Sequence, residues 1–147
     1  MLEPSAGKGD IALALRAAGA EPDVLEVVSD LRDLLELKGL HLVGRDFLAY
    51  EPGPIYDAVI MNPPFEGLQD VDHVRHAYEL LKPGGRVVTI MSEAPFFHRE
   101  QKAKDFRAWL ERLDAVDRKN ERGAFMDSDR PTDVATRLVT IRKERAA

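Results

Sequence analysis

Short apolar runs alternate along this chain with stretches in which apolar residues recur every three or four positions. The first pattern predicts strands and the second helices. Met1-Leu2-Glu3-Pro4 reads as the tail of a strand, and the small-residue turn SAGKGD follows it. Residues 11–19, IALALRAAG, have helical composition and stop at Gly19, a natural helix end. DVLEVV (23–28) is a short strand. SDLRDLLELKG (29–39) opens with a Ser/Asp cap, spaces its leucines as a helix and again ends in glycine. LHLVG (40–44) is a strand, RDFLAYEPGPI (45–55) a loop, and YDAVIM (56–61) a strand that runs into two prolines. DVDHVRHAYELL (70–81) is a helix ending at KPGG, RVVTIM (86–91) a strand and SEAPFFH (92–98) a loop. REQKAKDFRAWLERL (99–113) is a helix with Phe106, Trp109, Leu110 and Leu113 on one side. DAVDRKNERGAF (114–125) is a candidate strand, MDSDRPTD (126–133) a turn region, and VATRLVTIRK (134–143) a closing strand.

Strands that alternate with helices require crossover connections, so the pattern predicts an α/β fold. It is a Rossmann-like, mostly parallel sheet with helices on both faces. No helix separates the last two strands, which predicts an antiparallel hairpin at one edge. Ligands in such sheets bind beyond the carboxyl ends of the strands, near the switch in strand order. Residues 1–147 are expected to form a single domain, abbreviated at its N-terminus because only three or four residues precede the first turn.

Composition narrows the classes. A chain of 147 residues that is 44% hydrophobic can bury one core. With no cysteine there is no disulfide, thiolate metal site or cysteine nucleophile, which fits a cytoplasmic location. No apolar run approaches the ~20 residues of a membrane helix, so no membrane partner is expected. Formal net charge is −5, which argues against gripping nucleic acid by charge alone. The charge is uneven. Residues 1–60 carry 11 acids and 5 bases, whereas residues 98–147 carry 10 acids and 13 bases. An anionic polymer would therefore meet the C-terminal half, although a solvated surface gives the same pattern.

Four features carry candidate chemistry. In EPSAGKG, Gly7 and Gly9 allow a ligand close to the backbone beside a helix N-terminus. The spacing excludes a phosphate P-loop, and position 12 is Ala where a dinucleotide fingerprint needs glycine. Glu26 lies about twenty residues further on, at a strand end, where an acid can accept hydrogen bonds from both ribose hydroxyls of a nucleoside. Asp46 and Phe47 follow the third strand; the acid can accept from an adenine amino group while the ring covers the base. The fourth feature is MNPPFEG, Met61 to Gly67. Two adjacent prolines cannot continue a strand or open a helix interior, so they end the strand in a rigid turn. Each feature alone has a bland reading, as a turn or a surface acid. His73 and His76 have no third ligand nearby and read as surface residues, and no metal is expected. Ser5 lacks the partners of a hydrolase nucleophile.

Taken together and in this order, the features resemble the class I S-adenosylmethionine-dependent methyltransferases, in the branch that methylates amino nitrogens, such as the N6-adenine DNA enzymes. LEPSAGKGD resembles their cofactor motif, which puts Glu3, Pro4, Ser5, Ala6, Gly7 and Gly9 at the cofactor. Glu26 resembles their ribose-binding acid, and Asp46 with Phe47 their adenine-binding segment. Asn62-Pro63-Pro64-Phe65 resembles their catalytic tetrapeptide, with Asn62 also beside the cofactor. LLKPGGRVVTIM resembles their fifth strand, and residues 123–143 their closing hairpin. The resemblance covers nearly the whole chain. It implies S-adenosyl-L-methionine as cofactor and S-adenosyl-L-homocysteine as product. It also implies that the Asn62 side-chain oxygen and the Pro63 carbonyl accept hydrogen bonds from the target NH₂, while Phe65 stacks on the base. Phe96 and Phe97, after the fifth strand, are candidates for the other wall of that pocket.

The expected function is methyl transfer to an exocyclic amine, adenine N6 in DNA favoured over RNA. Neither the family's usual segment before the first strand nor a target-recognition region is expected within residues 1–147. Base flipping costs a few kcal/mol and needs phosphate and groove contacts. A partner chain is one expected source of recognition. The same tetrapeptide also suits guanine N2 in RNA or a protein glutamine amide. A non-catalytic cofactor-binding subunit or truncated remnant is a further alternative.

Overall fold

A computed structural model of the chain describes residues 1–120 and 135–145. The strands are β1 (Leu2–Glu3), β2 (Asp23–Leu25), β3 (His41–Gly44), β4 (Tyr56–Met61), β5 (Leu81–Ser92), β6 (Val116–Lys119) and β7 (Thr136–Arg142). They form one sheet in the order β3-β2-β1-β4-β5-β7-β6. The strands from β3 to β5 pair in parallel, and β7 pairs antiparallel with both β5 and β6. The expected α/β class and the antiparallel closing strands are therefore present. The turn region 126–133 lies outside the described residues.

Side-chain alternation sends adjacent residues to opposite faces of the sheet. Val24 joins Ala6, Ala12, Leu35 and Leu40 in a small core under α1 (Asp10–Ala17) and α2 (Ser29–Leu37). Its neighbour Leu25 joins a larger core on the other face, with Leu2, Val59, Val87 and Ile141. There Val71, Val74 and Ala77 come from α3 (Gln69–Glu79), and Ala103, Phe106 and Leu110 from α5 (Gln101–Arg112). Full burial of each such Leu, Val or Phe contributes about 1.5–3 kcal/mol, which holds the helices to the sheet.

Several local expectations are corrected. Residues 94–97, expected as loop, form a one-turn helix α4 (Ala94–Phe97), and the 45–55 loop contains a 3-10 turn over Phe47–Ala49. β5 starts at Leu81 rather than Arg86, because Leu81 already pairs with Tyr56 ahead of a register shift. α2 is capped by Val28, with no capping side chain, so the Ser/Asp cap is not formed. β2 ends at Leu25, three residues short of the expected run, where the chain leaves the sheet at Glu26.

Chain order runs outward from β1 through β2 to β3, then returns to β4 on the other side of β1. The switch in order therefore falls between β1 and β4. The carboxyl ends of β1 to β4 release the segments 4–9, 26–28, 45–47 and 62–65 along one edge of the sheet.

Candidate active site

The glycine turn is the first wall of the site. Gly7 and Gly9 have φ of 57° and 95°, the left-handed region that side-chain-bearing residues rarely enter. At Gly9 a Cβ would also stand 3.0 Å from Leu35 Cδ2 and from Leu40 Cδ1. The turn is tied to the end of β2 at two points. Ala6 N donates to Leu25 O at 3.0 Å, and Gly7 N donates to Glu26 Oε1 at 2.8 Å. Glu3 is fully buried beneath the turn, and its Oε1 accepts Ser5 N at 3.2 Å.

Glu26 does more than end β2. Its second oxygen, Oε2, accepts Val28 N at 2.9 Å, so one carboxylate holds the glycine turn and the lead into α2 together. A carboxylate has about four lone-pair sites, so two remain for hydroxyl donors. Arg32 locks the neighbouring strand end: its Nη1 donates to Glu26 O at 2.9 Å and to Gly44 O at 2.7 Å. Beyond Gly44, Asp46 Oδ1 accepts Leu48 N at 3.1 Å and caps the 3-10 turn that delivers Phe47.

These segments enclose a cleft of about 450 Å³, within the usual size of small-molecule sites, roughly 300–1,000 Å³. Pro4, Ser5, Gly7 and Lys8 line it from the glycine turn. Glu26, Val27, Val28 and Leu31 line it from the end of β2 and the start of α2, and Arg45, Asp46 and Phe47 from the end of β3. Pro64 of the Pro-Pro turn, with Gln69 and His73 of α3, completes it. The donor and acceptor set suits a nucleoside carrying an amino-acid tail. Its ionisable groups include the Glu26 and Asp46 carboxylates, with the Phe47 ring next to Asp46 and Lys8 beside the glycine turn.

Not every expected site residue reaches the cleft. Glu3, Ala6 and Gly9 support the turn from behind. Asn62 follows Met61 directly and is partly buried, as is Phe65, whereas Pro63 is buried. Phe96 and Phe97 sit on α4 at the end of β5, outside the cleft lining. Phe96 packs edge-on to Phe106, with the Arg137 guanidinium 4.3 Å above its ring. Phe97 is 62% exposed, with Arg137 at 5.4 Å and Lys119 at 5.8 Å. Arg137 is fixed by ion pairs to Glu93 and Asp117 at 2.9 and 2.8 Å.

The histidines correct the surface reading. His73 is only 9% exposed and packs on Phe47, with ring centroids 5.5 Å apart. His76 meets the same ring edge-on at 4.8 Å, and its Nε2 lies 2.7 Å from Tyr50 O. Sequence reasoning also missed Asp70, which is fully buried at the start of α3. Its Oδ2 accepts from both Ser92 N at 3.0 Å and Ser92 Oγ at 2.9 Å, tying the helix after the Pro-Pro turn to the end of β5. Burial raises its pKa above the ordinary value, and the Ser92 hydrogen bonds oppose that shift. Among the described residues no cluster of three or more His, Asp or Glu side chains could hold a metal ion, and no helix is long and apolar enough to cross a membrane.

No protein-family model and no curated protein matches the chain. Solved structures do. A type I restriction-modification methyltransferase subunit from Streptococcus thermophilus aligns over 99% of this chain and 39% of its own, with TM-score 0.77 and 19% identity. A SAM-dependent methyltransferase from Methanosarcina mazei aligns over 99% of this chain and 92% of its own, with TM-score 0.72 and 11% identity. A T. thermophilus 16S rRNA N2 guanine methyltransferase, solved with AdoMet and guanosine, aligns over 99% of this chain and 35% of its own, with TM-score 0.66 and 21% identity. The chain thus spans well under half the length of two of these three. Their common architecture gives the conclusion that this chain has the Rossmann-like fold of the S-adenosylmethionine-dependent methyltransferases.

Proposed function

We propose that the chain is an S-adenosylmethionine-dependent N-methyltransferase whose acceptor is an exocyclic amine, adenine N6 in DNA being favoured. One observation carries the reading. Pro64, from the Asn62–Phe65 turn, lines the same cleft as Glu26, Asp46 and Phe47. On this reading the nucleoside subsite and the amine-binding turn share one edge of the sheet.

When bound, S-adenosylmethionine supplies an electrophilic methyl group on a sulfonium. The chain's own residues do the rest. Glu26 accepts the ribose hydroxyls, Asp46 takes the adenine amine, and Phe47 covers the ring. An exocyclic amine on an aromatic base is a poor nucleophile, because its lone pair is delocalised into the ring. The Asn62 side-chain oxygen and the Pro63 carbonyl accept its two N–H groups, fix the nitrogen and favour a tetrahedral geometry that frees the lone pair. The prolines make these acceptors pre-organised, so little ordering is left for the moment of reaction. Phe65 stacks on the base. The nitrogen held by Asn62 and Pro63 would take the methyl group that the bound cofactor supplies, and its proton would leave to water.

The acidic N-terminal half and the basic C-terminal half favour a nucleic-acid acceptor approaching from the β5–β7 side. A partner chain is the proposed source of target recognition, and a cytoplasmic location fits the lack of cysteine. The resemblance in fold to a guanine-N2 enzyme keeps an RNA acceptor as the second reading. The test is transfer of labelled methyl from S-adenosylmethionine to separate pools of unmethylated DNA, RNA and protein, followed by digestion and mass identification. Label as N6-methyladenine supports the first reading and N2-methylguanine the second. Label only as methylglutamine refutes a nucleic-acid acceptor for this chain, and no label in any pool with S-adenosylhomocysteine unbound refutes the methyltransferase reading.

A further inference from the structure

Helix α3 presents two faces with different tasks. Asp70, Val71 and Val74 are 0%, 1% and 0% exposed, so burial against the sheet fixes how the helix is rotated. With that rotation set, Gln69 and His73, one turn apart at i and i+4, fall on a shared face and both line the cleft. His73 reaches the Asp46–Phe47 end, where its ring lies 5.5 Å from Phe47. His76 meets Phe47 edge-on at 4.8 Å and lies 2.7 Å from Tyr50 O, so two histidines of one helix pack against the same ring.

The other polar side chains of the cleft are charged or belong to the glycine turn: Lys8, Glu26, Arg45 and Asp46, with Ser5 on the turn. A purine offers an amine that suits Asp46 and, besides it, neutral ring nitrogens that accept hydrogen bonds. An imidazole or an amide matches such neutral acceptors without desolvating a charge.

We propose that His73, with Gln69 beside it, forms the base-reading wall of the cofactor site, a cofactor-binding and specificity-determining role for α3. This rests on the reading of the cleft as the S-adenosylmethionine site. The consequence is selective. His73 contributes to binding of the adenosine half and not of the amino-acid half.

The test is equilibrium binding by calorimetry of two probes, S-adenosylhomocysteine and 5′-methylthioadenosine, which share the adenosine but not the amino acid. His73→Leu should weaken both by the same factor, about tenfold, the worth of one buried hydrogen bond with its ring contact. The inosine analogue of S-adenosylhomocysteine should be discriminated less well by the variant than by the wild type. Wild-type affinity for both probes in His73→Leu would overturn the proposal while leaving the cofactor reading intact. If the wild type binds neither probe, the cofactor reading fails and the proposal falls with it. Proton NMR of the unaltered protein gives a readout that does not depend on the variant's folding. The His73 imidazole resonances should shift when methylthioadenosine is added, from the ring current of the purine, and unshifted resonances at saturation would overturn the proposal.

Discussion

Replacing Glu26 by Gln tests the site where structure and chemistry are joined in one side chain. Glu26 is 5% exposed, and its two oxygens accept Gly7 N at 2.8 Å and Val28 N at 2.9 Å. Glutamine keeps one acceptor and turns an NH₂ toward the other backbone N–H. One charge-assisted bond is lost and a donor is left without an acceptor, which costs about 2–3 kcal/mol. For a chain of this size that is a fall in Tm of roughly 6–12 °C. The same change removes the charge that would accept the ribose hydroxyls. S-adenosylhomocysteine affinity should then fall by about ten- to a hundredfold, the worth of one hydrogen bond to a charged group. Glu26→Asp is the comparator, because its shorter arm keeps the charge and cannot span both N–H groups. Differential scanning fluorimetry gives the stability and calorimetry the affinity. If Glu26→Gln melts within about 2 °C of the wild type and binds S-adenosylhomocysteine equally well, the carboxylate neither holds the turn nor meets the ribose.

Three further outcomes are expected. Gly9→Ala should destabilise by about 1–3 kcal/mol in urea unfolding, because φ is 95° and the new Cβ would stand 3.0 Å from two leucine methyls; an unchanged midpoint would refute the constraint. Asp70 has a pKa raised from 3.8 by burial, so the folded chain holds that proton more tightly than the unfolded chain. Its contribution is therefore full below the unfolded pKa and is lost as pH rises through the raised folded value. Urea unfolding at steps from about pH 4 upward should show this loss in the wild type and a flatter profile in Asp70→Asn, and parallel profiles would contradict the assignment. Asn62→Ala should abolish detectable methyl transfer while the variant still binds S-adenosylhomocysteine, read by labelled transfer and calorimetry side by side.

Much of the architecture was legible because it depends on local periodicity. The alternation of YDAVIM and RVVTIM with leucine-spaced helices gave the sheet type, and the absence of a helix between the last two strands gave the antiparallel closing pair. What was hidden depends on contacts distant in sequence. His73 looks like a surface histidine in DVDHVRHAYELL, and only the burial of Val71 and Val74, with Phe47 arriving from 26 residues earlier, turns it into the cleft. The double use of Glu26 was not visible either, since a strand-end acid carries no mark of the two backbone N–H groups it will meet. Four residues of α4 are too few to show a helical period. The role of Asp70 was hidden as well, because nothing in DVDHVRHAYELL announces Ser92, 22 residues away.

The most direct test of the account is labelled methyl transfer to DNA by the wild type and by Asn62→Ala under identical conditions, with the product nucleosides identified by mass. The account predicts N6-methyladenine from the wild type and none from Asn62→Ala, with both proteins still binding S-adenosylhomocysteine. Equal product from both would show that the Asn62–Phe65 turn does not hold the reacting amine, and would contradict the central claim.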